Sequence, residues 1–102
     1  MTRLEKLQAM LEDAPNDEFL NYALGMEFVA AGRNRDALKA FRLVQSISPT
    51  SSAAFFQEAQ LLARSERIDE AKDAAAKGVA AARSAGDQHA AEEIAGFLAS
   101  LA

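Results

Sequence analysis

The chain contains no cysteine and no tryptophan, and its 102 residues include only one histidine, two prolines and five glycines. The absence of cysteine excludes disulfides and thiolate-bound metal sites. No stretch approaches the roughly 20 consecutive apolar residues of a membrane-spanning helix. The segment that begins Met1-Thr2-Arg3 is followed by no long apolar run, so a secretory signal is not expected. We therefore expect a cytoplasmic protein.

Basic residues are also scarce relative to acidic ones. The chain has 11 Lys and Arg against 15 Asp and Glu, which gives a formal net charge of −4. Surfaces that bind nucleic acid usually carry clustered Lys and Arg, and helices that lie on membranes are usually basic on their polar face. Neither a nucleic acid nor a membrane is therefore expected as a partner.

The residues that are abundant favour helices. Half of the chain is apolar, alanine is frequent, and β-branched residues are few, which favours helix over sheet. A chain of this length corresponds to about one domain. Apolar spacing, prolines and turn residues predict six helices joined by short turns, so neighbouring helices should be antiparallel. The predicted ranges are 2–13, 17–31, 35–46, 52–64, 69–84 and 88–101.

Similar residues recur along the chain with a fixed period. The pairs that lie 34 residues apart are Pro15 and Pro49, Gly25 and Ala59, and Ala37 and Ala71. Leu7, Phe41 and Ala75 follow the same spacing. A period in this range is typical of stacked helical repeats, which present a surface more often than they perform chemistry.

Residues 18–50 carry the most specific pattern. Leu24-Gly25 is followed by Phe28 within one predicted helix, and Gly32 follows at the turn. The second helix has a small residue, an aromatic residue and a medium residue at matching spacing, and a proline closes the segment: Ala37, Phe41, Val44 and Pro49. This pattern resembles the tetratricopeptide repeat (TPR). Asn21 departs from it, since the family usually has a large apolar residue there, and Tyr22 is a candidate to compensate.

The same resemblance extends to residues 52–84, which keep the period with Phe55, Ala59, Leu62 and Ala71. Glu58 departs from it where a leucine is usual. Arg83 stands at the place of the closing proline, which is consistent with a longer fifth helix.

The flanking segments complete the organisation. Residues 2–15 resemble the second helix of a preceding half-repeat, and residues 87–101 resemble a C-terminal capping helix. The resemblance implies an all-α fold, an antiparallel helix-turn-helix array of about two repeats in an α-α superhelix. It also implies a single domain over residues 1–102.

The resemblance further implies a concave surface that holds a peptide or helix of a partner protein. The residues expected on this surface are Tyr22, Met26, Val29, Phe56, Gln60 and Arg64. TPR domains that grip a C-terminal carboxylate place Asn, Lys and Arg at these positions, whereas Arg64 is the only basic residue here. A mostly apolar groove instead suits an amphipathic helix or an apolar peptide.

Two alternatives remain open at this point. The same apolar residues could pack against flanking helices, or they could form a homodimer interface. Chemistry is not expected. His89 with Glu92 and Glu93 lacks a third metal ligand, and the chain has no glycine-rich phosphate loop. We predict a protein that is not an enzyme and has no cofactor.

Overall fold

The structure, a computed structural model, describes residues 1–101, and these residues form six α-helices and no strand. The helices are α1 (Arg3–Asp13), α2 (Glu18–Ala30), α3 (Asn34–Ile47), α4 (Ser52–Arg64), α5 (Ile68–Ser84) and α6 (Gln88–Ser100). Each helix begins and ends within one residue of its predicted bounds. The predicted all-α helix-turn-helix fold is thus confirmed.

Two compact units divide the chain. Met1–Ser48 contains α1 to α3, and Pro49–Ala102 contains α4 to α6. The division falls at the proline that closes the TPR pattern in the sequence. The single-domain organisation, with repeats at 18–50 and 52–84, stays a prediction.

Side-chain caps explain where several helices begin. Thr2 and Glu5 form a capping box, in which the Glu5 backbone N–H donates to Thr2 Oγ1 at 3.1 Å and the Thr2 N–H donates to Glu5 Oε1 at 3.2 Å. Asp17 accepts a bond of 2.8 Å from the N–H of Leu20 at the start of α2. Each such cap satisfies an N–H group that the first helical turn leaves without a partner.

One type of turn follows α2, α4 and α5. In each turn one residue has left-handed backbone geometry: Gly32 (φ 73°), Glu66 (φ 63°) and Gly86 (φ 72°). The next residue in each turn donates its N–H to a carbonyl five residues back, at 2.9, 2.9 and 2.8 Å respectively. This is the Schellman arrangement, which satisfies the last carbonyls of a helix. The prediction that Gly32 ends α2 is confirmed.

The core of the first unit centres on a contact between α2 and α3. Phe41 is fully buried, and its ring lies against Gly25. A Cβ atom at position 25 would stand 2.6 Å from Phe41 Cε1, so only a residue without a side chain fits beside this ring. Gly25, the small residue of the repeat pattern, therefore allows α2 and α3 to pack closely together.

Asn21 has a structural role that accounts for its departure from the family pattern. Its side chain is buried, and its Nδ2 donates to the carbonyl oxygens of Pro15 at 3.0 Å and Asp17 at 2.9 Å. The amide thus ties α2 to the loop that follows α1.

In the second unit, α5 packs against both α4 and α6. This is possible because the buried residues of α5 are small: Ala71, Ala74, Ala75, Gly78, Val79, Ala81 and Ala82. A Cβ atom at Gly78 would lie 3.2 Å from Phe55 Cβ and 3.4 Å from Ile94 Cδ1, so this position approaches both neighbours. At 17 residues α5 is longer than the 13-residue α4, as predicted.

Candidate functional site

The first candidate surface is an apolar face of α2. Phe19, Tyr22, Met26 and Val29 follow one another at helical spacing, and we call them the α2 stripe. Phe19 is 76% exposed and Met26 is 39% exposed. Phe19 is the one aromatic residue among the large apolar side chains exposed in residues 1–101; the others are Met1, Met10, Met26 and Leu43.

The three predicted site residues of α2 divide between packing and exposure. Tyr22 is half-buried, and its ring meets the edge of Phe41 with 5.5 Å between centroids. Val29 is also half-buried, while Met26 lies at the surface. Tyr22 therefore packs against the core and is part of the α2 stripe at the same time.

Phe19 was missed as a site residue. It lies three residues before Tyr22 and seven before Met26, so helical spacing alone places it on the same face. This spacing was the signal available in the sequence. It did not decide the matter, because the helix is apolar on several sides and Phe19 fitted a buried position equally well.

Acidic groups border the α2 stripe. Glu18 lies next to Phe19 in the sequence, and Glu27 next to Met26, while Glu18–Ala30 contains no Lys or Arg. Glu27 pairs with Arg3 of α1, with Oε1 2.6 Å from Nε. This pair is partly exposed, so it contributes less than about 1 kcal/mol to stability.

The second candidate surface lies between α4 and α6. The ring of Phe56 is half-buried and meets the ring of Phe97 edge-on, with 5.4 Å between centroids. Nearby, a pocket of about 390 Å³ is lined by Gln60, Ala63, Arg64 and Phe97, and we call it the α4–α6 pocket. The structure thus brings Gln60 and Arg64 together, and it places Phe56 against the same aromatic ring that lines the pocket.

Phe97 is the second residue that the sequence did not reveal. Ala91 and Ile94 are the buried residues of α6. Phe97 follows Ile94 by three residues, so spacing permits its position. Only the packing of α6 beside α4 shows that Phe97 lines the pocket.

Arg64 is the basic residue of the α4–α6 pocket. Its side chain is exposed and forms no ion pair or hydrogen bond with another side chain of residues 1–101. Arg67, three residues on, instead pairs with Glu70 at 2.6 Å between Nη2 and Oε2. The hydrogen bond and charge of Glu70 raise the pKa of Arg67 above its ordinary value.

A further pocket of about 480 Å³ lies on the α2–α3 hairpin. Its lining residues are Asn21, Leu24, Phe28, Asp36, Lys39, Ala40 and Leu43. Beside this hairpin, the Arg33 guanidinium lies 4.7 Å from the centroid of the Phe28 ring and 2.7 Å from Asp36 Oδ2. The sequence did not predict this pocket.

Residues 1–101 show neither a metal-binding cluster nor a helix suited to a bilayer. No group of three or more His, Cys, Asp or Glu residues is placed to hold a metal ion there. None of the helices in that range has the length and apolar character needed to cross a bilayer.

Comparison with known proteins links this geometry to solved structures. The chain is 30% identical to protein BPP2914 from Bordetella parapertussis, whose solution structure superposes with a TM-score of 0.84 over 99% of this chain and 88% of that one. It is 28% identical to a tetratricopeptide repeat domain protein from Salinibacter ruber. The solution structure of that protein gives a TM-score of 0.78 over 82% of this chain and 85% of that one. A crystal structure of the Salinibacter ruber domain, also 28% identical, gives 0.74 over 80% and 91%.

No protein-family model and no curated protein matches the chain significantly. The structural likeness nevertheless agrees with the residues that suggested the repeat, since Gly25, Phe41 and the turn at Gly32 take the positions expected of them. Tetratricopeptide repeat domains are generally non-catalytic modules for protein interaction. The chain has the fold of the tetratricopeptide repeat family.

Proposed function

We propose that the chain is a non-catalytic interaction module that binds a peptide or helix of a partner protein. The observation that carries this proposal is the exposure of Phe19 and Met26 on one face of α2. Fully burying a Phe or Met side chain is worth about 1.5–3 kcal/mol. A partner that covered both residues would therefore gain free energy that the free chain leaves unused.

The chemistry of the α2 stripe indicates the kind of partner. An amphipathic helix meets such a face with apolar residues at spacings of three, four and seven. Met26 has a flexible, polarizable side chain that adapts to different apolar partners. Glu18, next to Phe19, favours partner segments with a basic residue beside the apolar ones.

The second unit contributes the α4–α6 pocket. Phe56 supports Phe97 through their edge-on contact, while Gln60 and Arg64 supply polar groups at the pocket. A few polar groups in a mostly apolar site fix the orientation of a ligand. We propose that these residues select among partner segments, in a cytoplasmic protein that contacts neither nucleic acid nor membrane.

Binding of helical peptides tests the proposal. The full chain should select peptides from a library of amphipathic helices, and Met26→Ser should weaken the selected peptides about tenfold, since it removes one buried apolar contact. Leu43→Ser on α3 is a matched control, because Leu43 is 38% exposed and Met26 39%. Affinity is measured by fluorescence anisotropy.

Two results would contradict this proposal. One is a wild-type chain that selects no peptide. The other is that Met26→Ser and Leu43→Ser weaken peptide binding equally. That result would mean that peptides bind to any exposed apolar residue and that α2 has no specific role in binding.

A second candidate function rests on the same exposed face. Phe19 and Met26 could meet their counterparts in a second copy of the chain, because an apolar patch of this kind is often an interface between identical subunits. The protein would then be a self-assembling structural component. The mass in solution separates the two candidates.

A further inference from the structure

The α4–α6 pocket has two chemically different sides. Ala63 and Phe97 supply apolar surface, whereas Gln60 and Arg64 supply an amide and a guanidinium. Gln60 and Arg64 are four residues apart on α4, so their side chains lie on the same side of the helix. A ligand in this pocket would meet both kinds of surface at once.

The guanidinium of Arg64 lacks an acidic counterpart. Within residues 1–101 it has no ion-pair partner, and none of the residues that line the pocket is acidic. Arg33 and Arg67, in contrast, are each paired with an acidic residue three positions on. The pocket thus combines an apolar wall with a positive charge that no side chain of the described residues balances.

We propose that the α4–α6 pocket binds a partner segment in which a large apolar side chain and an acidic side chain are neighbours. The apolar side chain packs on Phe97 and Ala63. The side-chain carboxylate accepts hydrogen bonds from the Arg64 guanidinium and the Gln60 amide. Arginine suits this role because its planar fork of donors matches a carboxylate.

This inference rests on the proposed function and sharpens it, since it names the sequence character of the bound segment. Charge complementarity carries the choice of an acidic occupant. The size of the pocket, about 390 Å³, falls at the lower end of the range of roughly 300–1,000 Å³ for ligand sites. It therefore suits a short segment of a peptide rather than a whole helix face.

A library of random dodecapeptides, acetylated and amidated at their ends, tests the proposal with the full chain. The blocked ends ensure that any carboxylate comes from a side chain. Peptides selected by the wild-type chain should be enriched in Asp or Glu next to Leu, Ile or Phe. Arg64→Glu should weaken these peptides about tenfold or more, because it removes a charged hydrogen-bond donor and adds repulsion.

Arg83→Glu is the matched control. Arg64 and Arg83 are both exposed and both lie in the last turn of a helix, but only Arg64 lines the pocket. Arg83→Glu should leave the affinity unchanged, and circular dichroism should show equal helicity for both variants.

The outcomes separate this inference from the proposed function. If peptides bind but show no acidic enrichment, or if Arg64→Glu and Arg83→Glu bind equally well, the acidic preference is overturned while the interaction role stands. If the wild-type chain selects no peptide from either library, both proposals fail.

Discussion

Gly25 and Gly96 are both helical glycines, yet their surroundings differ completely. A Cβ atom at Gly25 would lie 2.6 Å from Phe41 Cε1, whereas no atom of residues 1–101 would come within 4 Å of a Cβ atom at Gly96, neighbouring and same-helix backbone atoms apart. The first glycine is required by packing. The second only weakens the helix, because glycine has a low helix propensity.

Alanine substitutions at these two positions should therefore have opposite effects. Gly25→Ala should lower the free energy of unfolding by about 1–3 kcal/mol, because it overpacks the contact with Phe41. Gly96→Ala should raise it by about 0.5–1 kcal/mol. Urea unfolding monitored by circular dichroism measures both, and a Gly25→Ala variant at least as stable as the wild type would contradict the packing role of Gly25.

Asn21 gives a second prediction at the residue scale. Asn21→Asp replaces a donor with a carboxylate that faces the carbonyl oxygens of Pro15 and Asp17, which lie 3.0 and 2.9 Å from the present nitrogen. We expect a loss of about 1–3 kcal/mol at neutral pH. Burial beside two carbonyls should raise the pKa of the new carboxyl in the folded state, so the loss should shrink as pH falls and the group gains a proton.

The comparison for this variant is Asn21→Leu, which carries no charge. It should show no such relief on acidification, and unfolding at neutral and acidic pH provides the test. Equal pH dependence of the two variants would contradict the role of the Asn21 side-chain hydrogen bonds in stability.

At the scale of the element, the turn after α4 differs from the two related turns. Glu66 has a positive φ of 63°, at the place where Gly32 and Gly86 stand in the other turns. A residue with a Cβ atom pays roughly 1–2 kcal/mol in the left-handed region, whereas glycine loses about 0.5–1 kcal/mol of chain entropy on ordering. The balance favours glycine at position 66.

Glu66→Gly should therefore stabilise the protein slightly, by up to about 1 kcal/mol, the difference between these two terms. Gly32→Ala should destabilise the protein by about 1 kcal/mol, because it places a residue with a Cβ atom in the left-handed region. No atom of the described chain would touch a Cβ atom at Gly32, so changes in packing do not contribute to the stability difference of this variant. Thermal melts of both variants check the signs, and a less stable Glu66→Gly would refute the strain at this turn.

Helix bounds could be read from the sequence because local signals mark them. Prolines, the left-handed glycine at position 32 and the cap at Asp17 each act within a few residues of where they stand. The bonds of Asn21 could not be read in this way, since their acceptors are backbone carbonyls that only the folded loop brings together. Phe97 was missed for a similar reason, because its place depends on how α6 packs beside α4.

The candidate site was predicted only in part. Residues of the right helices were chosen, and Gln60 and Arg64 indeed line one pocket. Sequence patterns could not separate Tyr22, which packs on Phe41, from Met26, which is exposed, because both belong to one apolar face. That distinction requires the position of α3.

For the whole molecule, the open question is what covers the exposed face of α2. Light scattering after size exclusion at two concentrations should give a mass near the 10.9 kDa of one chain if the face binds a partner protein. A mass of about twice that value would support self-assembly instead. In that case Met26→Ser should restore the mass of one chain, while Leu43→Ser should not.

The recurring turn has a consequence for how the chain folds in time. A connection of three residues closes at little cost in chain entropy, and its two backbone bonds need no contact with distant segments. Helical hairpins of this kind depend on local encounters, which are fast. During synthesis, which proceeds at about 5–20 residues per second, the α2–α3 hairpin has time to form before the last helix leaves the ribosome. We therefore expect Phe41 to be buried while the chain is still incomplete.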